Sequence, residues 1–327
     1  MFAAIRLIKT AAFNALLLPA VFCAPTQAAE TYPTRPVSIV VGFSAGGSTD
    51  LIARTIAKDL SERFKQSFVV ENRPGANSNL ANTHVARARP DGYTLLMVPF
   101  GLAVNQYLYK DLKYHLKDFS PIALVAEVPN VLVINKDLPF TTVKDFVNYS
   151  KTHPEDITYA SPGVGSSLHL AGELFRYSTG AVMLHVPFSG SSPALTAVRA
   201  GDVKSAFDNL STAAPMIKSG NLKALAVTSA KRSEAFPSVP TVAESGYPDY
   251  EISSYFGLAA PAGTPTEIIN ELNAAVMDAI QKPEIKAQLA TIGAYSRPNS
   301  ATDFQQFLTK ENAKWRSVIA SSGIEPN

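Results

Sequence analysis

Cysteine is almost missing from this chain. Its 327 residues include a single cysteine, Cys23, and a single tryptophan. No disulfide forms within it, and no cysteine ligand set for a metal exists. Histidine is scarce too: the five are His84, His115, His153, His169 and His185, dispersed, with no H-x-x-x-H or H-E-x-x-H spacing. Charged residues make up 17% of the chain. No basic run stands out, so the electrostatic footprint of a nucleic-acid binder is absent. Beyond the first residues, no apolar run approaches the roughly 18 residues of a membrane helix, so the chain is not expected to span a membrane.

The amino-terminal end reads as an address. Arg6 and Lys9 precede a mostly apolar stretch over 11–22, and Thr26-Gln27-Ala28 places small residues at both cleavage-determining positions. This predicts a secretory signal peptide cut after Ala28, its apolar stretch too short to cross a bilayer. Bulky Phe22 stands before Cys23, where a lipidated cysteine takes a small residue. Removing residues 1–28 takes away two cations and no acid, so the formal charge falls from +2 to zero. The exported chain is then neutral, cysteine-free and roughly 300 residues long, a size that favours two domains over one.

β-like and helix-like runs alternate along it. Ser38–Val41 precedes an amphipathic stretch over 49–64. Phe68–Val70, a helix over 80–88 and a strand over 93–98 follow. Runs over 122–125 and 131–134 flank Pro129-Asn130, and a second alternating series occupies 143–227. After an extended segment over 251–261, the tail is helical. The expected fold class is α/β, with mostly parallel sheets and right-handed crossovers. The expected division is a first lobe over 29–128, a second over 129–251, and a return to the first over 252–327.

Two segments repeat one device. SIVVGFSAGGSTDLIA (38–53) and ITYASPGVGSSLHLAGELF (157–175) each run from strand through a Gly/Ser-rich turn into a helix. The first N–H groups of a helix have no partner inside it, and the peptide dipoles leave positive partial charge there. Glycines admit an anion to the backbone, and hydroxyls add donors. Phe43, Ser44, Ala45, Gly46, Gly47, Ser48, Thr49 and Asp50 form the first candidate cradle. Ser161, Gly163, Val164, Gly165, Ser166, Ser167 and His169 form the second. Neither turn holds Lys or Arg, so neutral donors would grip a small acid from two sides. Asp50 fits equally as a helix-start residue. The phosphate motifs G-x-x-x-x-G-K-[ST] and G-x-G-x-x-G are absent, and no cofactor is expected.

Gly42-Phe43-Ser44-Ala45-Gly46 also matches G-x-S-x-G, the nucleophile turn of serine hydrolases. That alternative, a secreted esterase acting through Ser44, needs an acid and then a histidine further along, and no histidine follows His185. It also needs upstream strands for an oxyanion loop, and too few residues precede Ser44.

Taken together, several blocks resemble the extracytoplasmic solute receptors of the tripartite tricarboxylate transporter family. They include Glu71-Asn72-Arg73-Pro74-Gly75-Ala76, Pro90-Asp91-Gly92-Tyr93-Thr94-Leu95, Asp118-Phe119-Ser120-Pro121 and His169-Leu170-Ala171-Gly172-Glu173-Leu174-Phe175. His185-Val186-Pro187-Phe188, Pro240-Thr241-Val242-Ala243-Glu244 and Pro261-Ala262-Gly263-Thr264-Pro265 continue the match in order. The resemblance implies a two-lobed periplasmic binding protein of the Venus-flytrap type, with two crossover strands. Such a protein is a monomer and no enzyme; it closes on a small carboxylate and delivers it to inner-membrane transporter subunits. A ligand-presenting sensor would share the same site. The family's ligand turns map onto Phe43–Asp50 and Ser161–Ser167. Departures fall at Ser44-Ala45, where prolines are common, and at Val98-Pro99-Phe100, Phe188 and Ser189. If Phe43, Phe100, Phe188 and Tyr255 line the cleft, an aromatic mono- or dicarboxylate fits; the other possibility is that these rings pack in the core or hinge. Paired carboxylates are not decided by spacing, and Asp208 joins the candidate ligand residues.

Overall fold

The computed structural model describes residues 32–322 and 324; the signal-peptide segment and Ala28 lie outside them. Among the described residues the core is a curled, nine-stranded mixed sheet in the order β2-β1-β3-β9-β4-β7-β5-β6, with β8 also on β4. In the first half β1 (Val37–Val41) lies parallel between β2 (Phe68–Asn72) and β3 (Thr94–Val98). β9 (Ser253–Pro261) runs antiparallel to β3 and to the first part of β4 (Phe119–Asn135). In the second half, β4 pairs antiparallel with β7 (Ser205–Asn209) and β8 (Leu222–Val227). β5 (Thr158–Ser161) lies parallel between β7 and β6 (Leu184–Pro187).

β4 therefore belongs to both halves, where the sequence pattern predicts two short strands. Proline cannot donate to a ladder, so Pro129 reads as a break. It sits instead at the changeover of partners: Pro129 is the last residue opposite β9, and Asn130 the first opposite β7. Pro121 lies beside a register shift against β9. The missing N–H groups thus fall where the ladder is being handed over or is interrupted. The two sheet regions join as one, and Pro33–Asn327 forms one compact unit.

Helices cover the sheet. α1 (Ser48–Phe64) buries Ile52, Ala53, Ile56, Ala57 and Leu60 along one stripe. α2 (Asn79–Ala86) and the short α3 (Gly101–Val104) complete the first half before β4. α4 (Val143–Thr152) starts with a Thr142/Asp145 capping box. α5 (Ser167–Thr179) is capped by Ser166 and stopped by left-handed Gly180. α6 (Ser191–Ala200) and α7 (Leu210–Lys218) finish the second half. α7 is not expected from the sequence, because Pro215 inside it argues against a helix. α8 (Thr266–Gln281) packs on β4 and α1, α9 (Pro283–Thr291) on α8 and α1, and α10 (Ala301–Ser322) on β4, α3 and α5.

Of the two places open to Phe100 and Tyr255, cleft wall or core, the rings lie packed among buried side chains. The Phe100 ring packs against Tyr255 at 5.4 Å and edge-on to Trp315 at 5.3 Å. Tyr255 also donates its hydroxyl to the Phe100 carbonyl. All three side chains are buried. A large ring at the end of β3 finds more apolar area under α10 than in a polar cleft. Phe100→Ala is expected to destabilise the fold by about 3–5 kcal/mol in denaturant titrations. A loss below about 1 kcal/mol would return the ring to the cleft.

Candidate functional site

The first turn joins β1 to α1. Gly47 caps α1 in extended geometry with no side-chain bond, and the first intrahelical bond is Leu51 N–H to the Gly47 carbonyl. The N–H groups of Ser48, Thr49 and Asp50 have no protein acceptor among the described residues. Ser44, Ala45, Gly46 and Gly47 are exposed, and Phe43 and Ser48 are half-buried. Gly46 has φ +87°, a left-handed conformation that favours glycine.

Asp50 holds this turn rather than opening it. Its buried carboxylate accepts from Gly46 N–H, Arg54 Nε and Asn72 Nδ2, each at 2.9 Å. Burial pushes its pKa up, but the bonds from Arg54, Gly46 and Asn72 outweigh that and leave it below the usual value. Asn72 also donates to the Phe43 carbonyl at 3.0 Å. With its lone pairs engaged, Asp50 shapes the loop, and the donors for an anion are the helix amides.

The second turn joins β5 to α5. Ser166 Oγ accepts from His169 N–H at 3.1 Å and donates to the Gly163 carbonyl at 2.8 Å. The N–H groups of Ser167 and Leu168 have no protein acceptor among the described residues. Val164 is exposed, and half-buried Phe188 backs the turn, its N–H bonded to the Ser161 carbonyl at 2.9 Å. Beneath it sit two imidazoles, His169 and His185, with ring centroids 4.1 Å apart. His169 Nδ1 accepts from Gly165 N–H at 3.2 Å, and His185 Nε2 meets Ser161 Oγ at 2.7 Å. Burial depresses both pKa values, to about 4 for His169 and about 3 for His185. For His169, nearby Arg176 adds to the depression. Neutral His169 faces the Glu173 carboxylate at 4.0 Å, and Glu173 is satisfied by Tyr159 Oη at 2.6 Å and Arg176 Nη1 at 2.7 Å.

A third helix start enters from α7. Ser211 Oγ lies 3.3 Å from Ser48 Oγ, which brings the starts of α7 and α1 together. Asn209, the residue before α7, does not cap it; its Oδ1 accepts from Ser254 Oγ at 2.8 Å. Ser254 Oγ, with one proton to share, also lies 2.9 Å from Asn130 Oδ1 and 2.8 Å from Ser167 Oγ. This network ties the start of α5 to β4 and β9 at the point where β4 changes partners.

Asp208, a candidate ligand residue in the sequence, is fully buried beneath α7. Its Oδ1 accepts from Asn209 N–H at 2.7 Å and from the Thr212 hydroxyl. Burial raises its pKa to about 6, against the pull of Thr212, Ser191 and Asn209. It anchors a helix start and offers a guest no donor in its charged form. Asn130, Asn209, Ser211 and Ser254 were not expected. Asn209-Leu210-Ser211-Thr212, cap residues directly after a strand, carried a readable signal for α7; the Ser254–Asn130 pairing spans 124 residues and had none. Ser44 makes no hydrogen bond to a histidine among the described residues.

The arrangement is a set of helix starts with open N–H groups, drawn from α1, α5 and α7. The family model described as "Tripartite tricarboxylate transporter family receptor" matches residues 52–324. The chain belongs to this family. Protein BugT of Bordetella pertussis is 36% identical over 300 residues, covering 91% of this chain and 92% of the relative. The solved structure titled "R. palustris Rpa4515 with adipate" is 39% identical with a TM-score of 0.84, covering 90% of this chain and 100% of that one. MatC of Rhodopseudomonas palustris, solved with bound malate, is 33% identical with a TM-score of 0.80, covering 88% and 100%. This tripartite tricarboxylate transporter receptor is thus a periplasmic solute-binding protein and not an enzyme. Among the described residues no helix is long and apolar enough to cross a membrane, and no group of three His, Cys, Asp or Glu is placed to hold a metal.

The histidine pair gives the receptor a pH signature. His169 folds with a pKa below its ordinary 6.5, so the unfolded chain binds the extra proton first. Its contribution is complete above pH 6.5 and is lost as pH falls from there toward about 4. Asp208 slopes the opposite way, its contribution fading as pH rises from 3.8 to about 6. His169→Gln should therefore flatten the acid side of the stability profile by about 1 kcal/mol per pH unit between pH 6 and 4.5. Denaturant midpoints across that range measure it, and an unchanged slope contradicts the buried neutral imidazole.

Proposed function

We propose that this receptor captures a small carboxylate between the starts of α1 and α5, with Ser211 of α7 at the margin, and hands it to inner-membrane transporter subunits. One observation carries the reading: two Gly/Ser-rich turns from opposite halves of the sheet each present helix N–H groups that no protein acceptor takes. Such groups favour negative charge, and here they do so without a cation in either turn. The related structures with adipate and malate, at 39% and 33% identity, support a carboxylate guest. We read the lobes as 29–128 with 252–327 and 129–251, and the exported chain as beginning after Ala28 and acting as a monomer.

Guest length and shape follow from the walls. With Phe100 and Tyr255 in the core, only Phe43 and Phe188 remain half-buried beside the turns. That supports an aliphatic dicarboxylate ahead of an aromatic one. Each dipole supplies about 0.3–2 kcal/mol, so charge-assisted hydrogen bonds of about 1.5–3 kcal/mol each must carry micromolar binding, which needs about 8 kcal/mol.

A thermal-shift panel tests it. At a hundredfold excess over Kd, adipate or malate should add about 2.7 kcal/mol and raise Tm by several degrees. Aromatic diacids should add less. Stabilisation by neutral sugars or amines with none by any acid would overturn the reading.

A further inference from the structure

Residues 75–79 lie between the two turns and belong to neither. Gly75, Ala76, Asn77 and Ser78 all have positive φ, at 143°, 46°, 49° and 71°. Three consecutive non-glycine residues in the left-handed region are rare; asparagine alone among them tolerates it readily. The surroundings hold the run in place. Fully buried Asn105 donates through Nδ2 to the Asn77 carbonyl at 3.0 Å and to Asn79 Oδ1 at 2.6 Å, and accepts from Asn77 Nδ2 at 3.0 Å. On one side, buried Ser78 packs against Gly42 so closely that a Cβ there would lie 2.4 Å from Ser78 Cβ. On the other, Asn77 Nδ2 donates across the cleft to the Gly165 carbonyl at 2.8 Å. Gly165 in turn has no room for a side chain: a Cβ would meet Leu108 at 2.9 Å and Asn77 Nδ2 at 3.0 Å.

The geometry points to a clasp. We propose that Asn77 is a positioning residue that holds the receptor shut through the Gly165 carbonyl, and so sets its open–closed balance whether or not a guest is bound. The left-handed run aims the Asn77 amide outward from the first turn, Asn105 fixes it there, and the bare Gly165 peptide receives it. Release of a guest requires this bond to break. The closed fraction, and with it the apparent affinity, scales with its strength. The guest in this inference rests on the carboxylate reading above; the clasp itself does not.

Asn77→Gly is the useful variant, because it keeps the left-handed backbone and deletes only the amide. Asn77→Asp keeps the shape and replaces the donors with acceptors. The test uses the protein with Cys23→Ser and spin labels at Glu62→Cys on α1 and Tyr177→Cys on α5, both exposed and outside the site. Without a guest, the parent should show one short inter-label distance. Both Asn77 variants should add a longer population, with the closed-to-open ratio lowered about two- to tenfold, the effect of one hydrogen bond. The dissociation rate of adipate should rise by a similar factor. Identical distance distributions in parent and variants overturn the clasp. If adipate fails to bind the parent while the distances still shift, the guest assignment falls and the clasp stands.

Discussion

Every helix begins with N–H groups that its own carbonyls cannot reach, and something outside must satisfy them. Some helices settle this with a side chain, as α4 does with Thr142 and Asp145. α1 and α7 do not, and α5 does so only for His169 N–H. The side chains that ordinarily cap are used elsewhere: Asp50 turns back to Gly46, and Asn209 turns to Ser254. Open donors at the carboxyl ends of strands, in turns that themselves hold no Lys or Arg, make a place where a carboxylate is a better partner than water. A neutral cradle also releases its guest more easily than a buried ion pair would.

This chemistry is arranged by one strand. β4 pairs with β9 up to Pro129 and with β7 and β8 beyond it, so both halves of the molecule hang on the same backbone. The polar network of Asn130, Ser254, Asn209 and Ser167 sits at that changeover. Ser167 thereby links the start of α5 to the point where β4 changes partners. The left-handed strap carrying Asn77 adds a further bond between the two halves of the sheet, beside Ser48–Ser211 and Ser167–Ser254.

Much of this was legible in the sequence, and the limits follow from the kind of signal involved. Alternating strand and helix periods show the α/β class, and the two Gly/Ser turns announce themselves by local composition. The family blocks fix the rest of the fold. What the sequence hid is tertiary. Pro129 reads as a terminator because nothing local shows that partners change there. Phe100 is apolar in a cleft as in a core, and only the later arrival of Trp315 from α10 decides its side. Asp208 looks like any acid at a strand end until its burial under α7 is seen. Asn77 falls within a stretch of small polar residues, and its left-handed backbone is imposed by Asn105, distant in sequence. The depressed pKa of His169 depends likewise on burial, with Arg176 nearby, and no spacing rule encodes the burial.

The central claim concerns single backbone amides, and proline probes them one at a time. Ser48 and Ser167 are the first residues of α1 and α5, each preceded by extended backbone, so proline is sterically accepted there while its N–H is lost. Adipate titrated calorimetrically into Ser48→Pro and Ser167→Pro should bind about ten- to a hundredfold more weakly than into Ser48→Ala and Ser167→Ala, which keep the amide. Equal affinities for proline and alanine variants at both positions would contradict the account.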